Sequence, residues 1–128
     1  AHANEEVVRS YVTAFAAGDL DTARTYLDDD VVYHVGGRHS LAGDYRGPDE
    51  AVAFFRERAA RTGGTFKVIP HDLLANAVHA VALSAVTAER DGVHYAWDVV
   101  TVYHVAGGKV TECWIIDGDQ ELAAQVLA

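Results

Sequence analysis

The sequence predicts an α+β fold in which N-terminal helices are wrapped by a strongly curved, mainly antiparallel sheet that encloses a pocket. The first half of the chain shows apolar residues at helical spacing, interrupted by Gly, Pro and Asp. The second half carries long runs of β-branched and aromatic residues between turns. Runs of about a dozen residues exceed the usual strand length, and long twisted strands curl. At 128 residues, we expect a single domain spanning 1–128.

Two helices are predicted at the start of the chain. Apolar side chains recur every three or four residues over positions 7–15, and Tyr11 lies on the same helical face. Gly18 ends this helix because glycine readily adopts the left-handed conformation of a helix end. Asp19 then caps a short second helix.

A strand, a loop and a third helix follow. The three aspartates at 28–30 predict a solvated turn, and the apolar residues at 31–35 predict a strand that carries His34 near its end. Residues 36–47 are rich in glycine and polar side chains and predict a loop. Pro48, at a first helical position, opens the third helix.

The second half predicts an antiparallel meander. Asp91-Gly92 is a strong hairpin signal, and Pro70 indicates a bulge or an edge position. Asp119 is expected to cap a short C-terminal helix. We expect the strands at 65–75, 78–90, 93–105 and 109–116.

Neither face of the strand at 93–105 is plainly polar in its middle, so both faces should be covered. One face would meet the helices and the pocket. The other would meet a second subunit, and we therefore expect a homodimer.

Composition excludes several classes of function. The net charge is −9, with 19 acids against 10 scattered bases, so we expect no binding to nucleic acid. No apolar run approaches membrane-spanning length, and we expect no membrane partner. The single cysteine permits no intrachain disulfide, which fits a cytoplasmic protein. Neither a metal-ligand spacing nor a phosphate-binding glycine loop occurs, so no metal and no cofactor are expected.

Three residues suggest acid–base chemistry. His34 has an unperturbed pKa of about 6.5, which suits proton transfer near neutral pH. Asp98 lies in an apolar strand, where a carboxylate needs a partner, a proton or a ligand. A His34–Asp98 pair would satisfy both groups. Tyr11 is either a core residue or a buried donor to a developing oxyanion.

Four further residues could border the pocket. His71 follows Pro70 on the first long strand and could face inward. His104 shares a strand face with Asp98 and could form the pocket rim. Asp117 shares a face with Cys113 and either reaches the cavity mouth or belongs to a turn. Cys113 would add a small apolar wall group.

Several motifs across nearly the whole chain resemble the SnoaL-like polyketide cyclases and ketosteroid isomerases of the NTF2-like superfamily. The resemblance implies a cone-shaped fold, and the superfamily includes isomerases, cyclases, dehydratases, epoxide hydrolases and non-enzymatic binders. The motifs are Val7-Val8-Arg9-Ser10-Tyr11-Val12, Ala17-Gly18-Asp19-Leu20-Asp21, Asp29-Asp30-Val31-Val32, Leu41-Ala42-Gly43-Asp44-Tyr45-Arg46-Gly47, and Gly108-Lys109-Val110 leading to Trp114.

The resemblance assigns roles residue by residue. Tyr11 matches the tyrosine that donates to the oxyanion in ketosteroid isomerases, and Phe54 matches an apolar pocket position. Their protonated aspartic acid falls near Val100, and Asp98 lies two residues away on the same strand face. His34 stands where those enzymes keep an aspartate base, so the resemblance implies an imidazole base and argues against steroid isomerisation. The oxyanion-hole logic is the established one for ketosteroid isomerase.

The leading hypothesis is an acid–base isomerase, cyclase or dehydratase that needs no cofactor. It would act on a small, largely apolar substrate that is cyclic or bears a carbonyl, with His34 as the general base. Two alternatives stay open. One is a hydrolase of the epoxide-hydrolase type, and the other is a dimeric module that binds a hydrophobic ligand without catalysis.

Overall fold

The computed structural model describes residues 3–128. This part of the chain contains four helices: α1 (Ala3–Ala16), α2 (Leu20–Arg24), α3 (Gly47–Arg61) and α4 (Gln120–Val126). It also contains six strands: β1 (Leu27–Val35), β2 (Gly43–Arg46), β3 (Lys67–Ala75), β4 (His79–Arg90), β5 (Val93–Ala106) and β6 (Lys109–Asp117). None of these helices is long and apolar enough to cross a membrane.

The strands form one sheet in the order β2-β1-β6-β5-β4-β3. Every neighbouring pair is antiparallel except β1 and β6, which run parallel. The predicted α+β class, with helices against a mainly antiparallel sheet, is confirmed.

Side chains alternate between the two faces of this sheet, and α1 and α3 cover only one of them. We call the covered side the inner face and the opposite side the outer face. Inner-face residues include Tyr33, Thr101, Tyr103, Cys113, Ile115 and Asp117. Outer-face residues include His34, Asp98, Val100, His104, Glu112 and Trp114.

The helices contribute large side chains to the core between themselves and the inner face. Val8 and Tyr11 of α1 are almost fully buried, as are Ala51 and Phe54 of α3. These residues recur at helical spacing, which is why one side of each helix can pack on the sheet. Each large apolar side chain buried in this way contributes about 1.5–3 kcal/mol to folding.

The local signals of the sequence are mostly confirmed. The Asp19 and Asp119 carboxylates cap α2 and α4, accepting hydrogen bonds from the Thr22 and Leu122 amides. Pro48 lies in the first turn of α3. The pairing of β3 with β4 shifts just after Pro70, as expected for a bulge.

Two local predictions are wrong. The aspartates at 28–30 belong to β1 rather than to a turn, because Leu27 already pairs with Val110. A bulge between Leu27 and Val32 accommodates them as partly or fully exposed side chains. The predicted loop at 36–47 also contains β2, a short and largely exposed edge strand that sequence patterning does not reveal.

Gly118 brings the end of β6 against β5. Its amide donates to the carbonyl oxygen of Asp98 at 2.7 Å. A Cβ atom at Gly118 would lie 2.7 Å from that same oxygen, so only glycine permits this approach. The contact fixes the backbone next to Asp117.

Candidate active site

A cavity of about 40 Å³ lies between α1, α3 and the inner face. Its wall combines aromatic rings with a few polar groups. The lining residues are Tyr11, Val12, Phe15, Tyr33, Phe55, Arg58, Phe66, Val68, Ala82, Ser84, Val86, Val99, Thr101, Tyr103, Ile115 and Asp117.

Two phenols meet in this wall. The hydroxyls of Tyr11, from α1, and Tyr33, from β1, form a short hydrogen bond, and both side chains are almost fully buried. Burial raises the pKa of each hydroxyl well above its ordinary value, so both stay protonated near neutral pH. One hydroxyl hydrogen serves the mutual bond, which leaves the other free to donate to a third group. Two hydroxyls that are hydrogen-bonded to each other in this way can together bind a carbonyl oxygen.

One carboxylate and one cation line the same cavity. Among the lining residues within 3–128, Asp117 is the only acid and Arg58 the only permanently charged base. The Trp97 indole N–H donates to Asp117 Oδ1 at 2.9 Å, which fixes the orientation of the carboxylate. Asp117 follows the inner-face alternation of β6 at its last position. The cavity therefore holds a possible proton acceptor and possible oxyanion donors together.

Two further inner-face residues complete the polar part of the core. Tyr103 packs edge-on against Tyr11, with ring centroids 6.0 Å apart. Cys113 is fully buried beside Tyr33, its neighbour on the adjacent strand, but it does not line the cavity. Burial raises the pKa of the Cys113 thiol far above its ordinary value, so it stays protonated and unreactive as a nucleophile.

His34 lies on the outer face, across the sheet from Tyr11. Its Nδ1 lies 2.8 Å from Asp44 Oδ1, and its Nε2 lies 2.6 Å from Glu112 Oε2. The ring stacks on Trp114 with centroids 5.3 Å apart. The hydrogen bond to Glu112, assisted by Asp44, raises the pKa of the imidazole above its ordinary value despite partial burial.

Asp98, Val100 and His104 also lie on the outer face, so the predicted cluster of His34, Asp98 and Tyr11 is not assembled. Asp98 is exposed. His104 contacts Glu112 and His79 instead of a pocket. Successive side chains of a strand point to opposite faces of the sheet. Assigning the wrong phase to a strand, by one residue, therefore moves every one of its side chains to the other face.

Phe54 and His71 lie outside the cavity wall. Phe54 is buried behind it and packs against Tyr45, with ring centroids 4.9 Å apart. His71 sits beside the bulge of β3 and lines a separate surface groove with Arg9 and Thr13 of α1. Neither residue touches the cavity.

Sequence reasoning missed three residues near the cavity. Tyr33 precedes His34 in β1, and it was overlooked because His34, not Tyr33, was expected to face the pocket. Arg58 follows Phe54 and Phe55 by four and three positions, so the helical spacing already placed it on the buried face of α3. His39 shows no sequence signal. Neither of its ring nitrogens has a hydrogen-bond partner within 3–128, and burial lowers its pKa while nearby Asp117 opposes the shift.

The family can be assigned from sequence. Residues 8–113 match the model of the SnoaL-like domain. The chain belongs to the SnoaL-like family. The uncharacterized protein Rv0034 of Mycobacterium tuberculosis is 36% identical over 110 residues, which cover 85% of this chain and 84% of that protein. The resemblance seen in the sequence motifs is thus confirmed.

Solved structures place this SnoaL-like domain in the NTF2-like, or cystatin-like, fold. Bal32a, from a soil-derived mobile gene cassette, superposes with a TM-score of 0.92 at 28% identity, covering 98% of this chain and 97% of Bal32a. IdmH, a candidate polyketide cyclase of Streptomyces antibioticus, superposes with a TM-score of 0.77 at 18% identity, covering 98% and 99%. At the latter identity the likeness concerns the fold.

Proposed function

We propose that this SnoaL-like domain is an acid–base enzyme of the isomerase, cyclase or dehydratase type that acts on a small carbonyl-bearing substrate. One observation carries the proposal. The Asp117 carboxylate and the Tyr11–Tyr33 hydroxyl pair line the same cavity. A proton acceptor and oxyanion donors are the two groups that enolisation needs. The family includes cyclases and isomerases, which agrees with this class of reaction.

In the proposed reaction, Asp117 removes a proton from the carbon next to the substrate carbonyl. The electron pair of that C–H bond moves into the enolate, and negative charge develops on the carbonyl oxygen. The free hydroxyl hydrogen of the tyrosine pair donates to this oxygen. A donor held in place by the protein stabilises such charge more strongly than water does, because it needs no reorientation during the reaction.

The enolate has three outcomes in this scheme. Return of the proton to another carbon gives isomerisation. Attack of the enolate carbon on a second carbonyl closes a ring, and loss of a neighbouring hydroxyl as water gives dehydration. Trp97 holds the Asp117 carboxylate in one orientation during the proton transfer, and we assign it a positioning role.

Deuterium exchange tests the proposal. A panel of small cyclic ketones and diketones is incubated with the protein in D₂O, and loss of the proton next to the carbonyl is followed by NMR. We expect Asp117→Asn to slow exchange by about 100- to 10,000-fold. Tyr11→Phe should slow it by about 100- to 1,000-fold if that hydroxyl is the oxyanion donor.

Two outer-face variants separate this site from the arrangement expected from the sequence. His34→Gln and Asp98→Asn should keep the exchange rate of the natural chain, because both side chains lie across the sheet from the cavity. Full exchange by Asp117→Asn, or its loss in His34→Gln alone, would refute the assignment of Asp117 as the base.

A hydrolase is the second candidate, because Asp117 lines a cavity that water can enter. A carboxylate next to confined water can activate it against an epoxide. Turnover in ¹⁸O-labelled water distinguishes the two reactions. Label in a new hydroxyl group of the product supports hydrolysis, and a product without a newly labelled hydroxyl rules hydrolysis out.

We further propose that the domain forms a homodimer through its outer face. Ile69, Leu74 and Ile116 lie on this face and remain 49%, 56% and 49% exposed. Exposed apolar side chains grouped on one face are typical of a protein interface. The same face carries His34 and Glu112, so it offers charges of both signs to a symmetry-related copy.

A further inference from the structure

Arg58 is an unusual group to find in the wall of this cavity. Its side chain projects from α3 and the residue is only 7% exposed. The guanidinium carbon lies 4.2 Å from the ring centroid of Phe66 and 5.0 Å from that of Phe54. The rings of Phe55 and Phe15 follow at 5.6 and 5.7 Å. Four phenyl rings therefore surround one cation.

The guanidinium has no polar partner among residues 3–128. It takes part in none of the ion pairs and in none of the side-chain hydrogen bonds of this part of the chain. Tyr33 and Asp117 act on it electrostatically, and Asp117 lies beyond ion-pair distance. Buried cations are normally paired, because removing them from water is costly.

The rings account for only part of the stabilisation. Aromatic faces attract a cation, but they leave its five N–H donors without ordinary acceptors. Burial lowers the pKa of Arg58 to about 10, so the side chain still carries its charge near neutral pH. The cavity that Arg58 lines is the open space in which an acceptor can approach these donors.

A second space leads to the same arginine. A groove of about 280 Å³ on the side of α1, α3 and β3 shares Arg58 with the cavity, and we call this groove the vestibule. Its lining residues are Phe15, Ala16, Gly18, Leu20, Phe55, Arg58, Ala59, Gly64, Phe66, Lys67 and Val68. Two of them are bases and none is an acid, although the whole chain has 19 acids and 10 bases. An anion can approach here without meeting a lining carboxylate.

We propose that the substrate is an organic acid that enters along the vestibule and binds through its anionic oxygens to Arg58. This rests on the proposed function only in calling the ligand a substrate, since the binding itself needs no turnover. The planar guanidinium suits a carboxylate, which can accept two parallel N–H bonds. Phe15, Phe55, Phe66 and Val68 then contact the apolar remainder of the acid. The Tyr11 and Tyr33 hydroxyls then remain available to bind the carbonyl oxygen of the same substrate.

A matched pair of probes tests the inference without any variant. Benzoate and benzamide have nearly the same shape and differ in charge. We expect the natural chain to bind benzoate at least about 10-fold more tightly, as measured by calorimetry, because hydrogen bonds to a charged group discriminate by about 10- to 100-fold. Amide shifts in NMR should map to α3 and β3 around the vestibule. Equal binding of the two probes, or no binding of either, would overturn the proposal.

Variants locate the effect at Arg58. Arg58→Met keeps the length and apolar packing of the side chain and should reduce benzoate affinity to that of benzamide. Arg58→Lys keeps the charge and should retain part of the preference, which also covers the case in which the Met variant does not fold. Arg56→Met is the matched control, since Arg56 lies exposed on the same helix and should leave both affinities unchanged. A benzoate preference that survives in Arg58→Met would refute the assignment.

The two proposals fail separately. If benzoate binds preferentially but no ketone exchanges deuterium, the anion site is supported and the proposed enolisation is refuted. If exchange depends on Asp117 but benzoate and benzamide bind equally, the proposed enzyme is supported and the anion site is refuted.

Discussion

The hydroxyls of Tyr11 and Tyr33 depend on each other. Both are buried, and each is the hydrogen-bond partner of the other. Removing one oxygen leaves a buried polar group with less hydrogen bonding, and that loss costs more than the bond itself contributes. Their coupling is therefore measurable in stability, independently of any reaction.

Phenylalanine substitutions test this coupling. Tyr11→Phe and Tyr33→Phe should each lower the free energy of unfolding by about 1–2 kcal/mol. The double variant should lose less than the sum, because neither oxygen is then left buried without its partner. Urea denaturation of the four proteins gives the coupling energy, and Tyr95→Phe serves as a control on a more exposed phenol. Additive losses would show that the two hydroxyls do not interact.

Single residues also show where sequence reasoning reaches its limit. Tyr11 could be placed in the core, because helical spacing of apolar residues defines one face. Tyr33 could not be distinguished from His34, because both faces of β1 are partly covered and alternation alone gives no direction. Arg58 was predictable from its spacing to Phe54 and Phe55, but charge normally argues against burial.

At the scale of elements, the ends of β1 and β6 lie side by side next to Asp117, which lines the cavity. A glycine directly follows each of these parallel strands: Gly36 follows β1 and Gly118 follows β6. The two glycines have different surroundings. A Cβ at Gly36 would have its nearest neighbour at 3.9 Å, whereas at Gly118 it would lie 2.7 Å from the Asp98 carbonyl.

Alanine substitutions at these two glycines should therefore differ. Gly118→Ala is expected to lower the free energy of unfolding by about 1–3 kcal/mol, because the backbone of β5 has to move. The same shift should weaken the Trp97–Asp117 hydrogen bond. Gly36→Ala should be near neutral or slightly stabilising, by up to about 1 kcal/mol. Thermal denaturation compares them, and equal effects would contradict the close-packing explanation.

Most elements followed from local signals, and the exceptions have physical causes. The capped helices and the hairpin at Asp91-Gly92 were predictable because capping and turn chemistry are local. The edge strand β2 was not, because its short and exposed sequence lacks an apolar alternation. The parallel pairing of β1 with β6 depends on distant parts of the chain, which no local pattern records.

At the scale of the whole molecule, the proposed homodimer can be tested on the outer face. Ile116→Asp places a charge in the middle of the proposed interface and should convert a dimer to a monomer. Light scattering after gel filtration measures the mass of each form. Val93→Asp is the matched control, since Val93 is 50% exposed but lies at the β4–β5 hairpin. A monomeric natural chain would refute the proposed dimer.

The parallel pairing of β1 with β6 also sets the order in which the molecule can form during its synthesis. His34 and Glu112 are hydrogen-bonded across a separation of 78 positions. While the chain leaves the ribosome, β1 can pair only with β2 until β6 has been made. The cavity is therefore sealed last, and contacts of such long range slow folding. A nascent chain stopped before β6 would leave the edge of β1 opposite β2 without a strand partner, and such an unpaired edge is prone to aggregate.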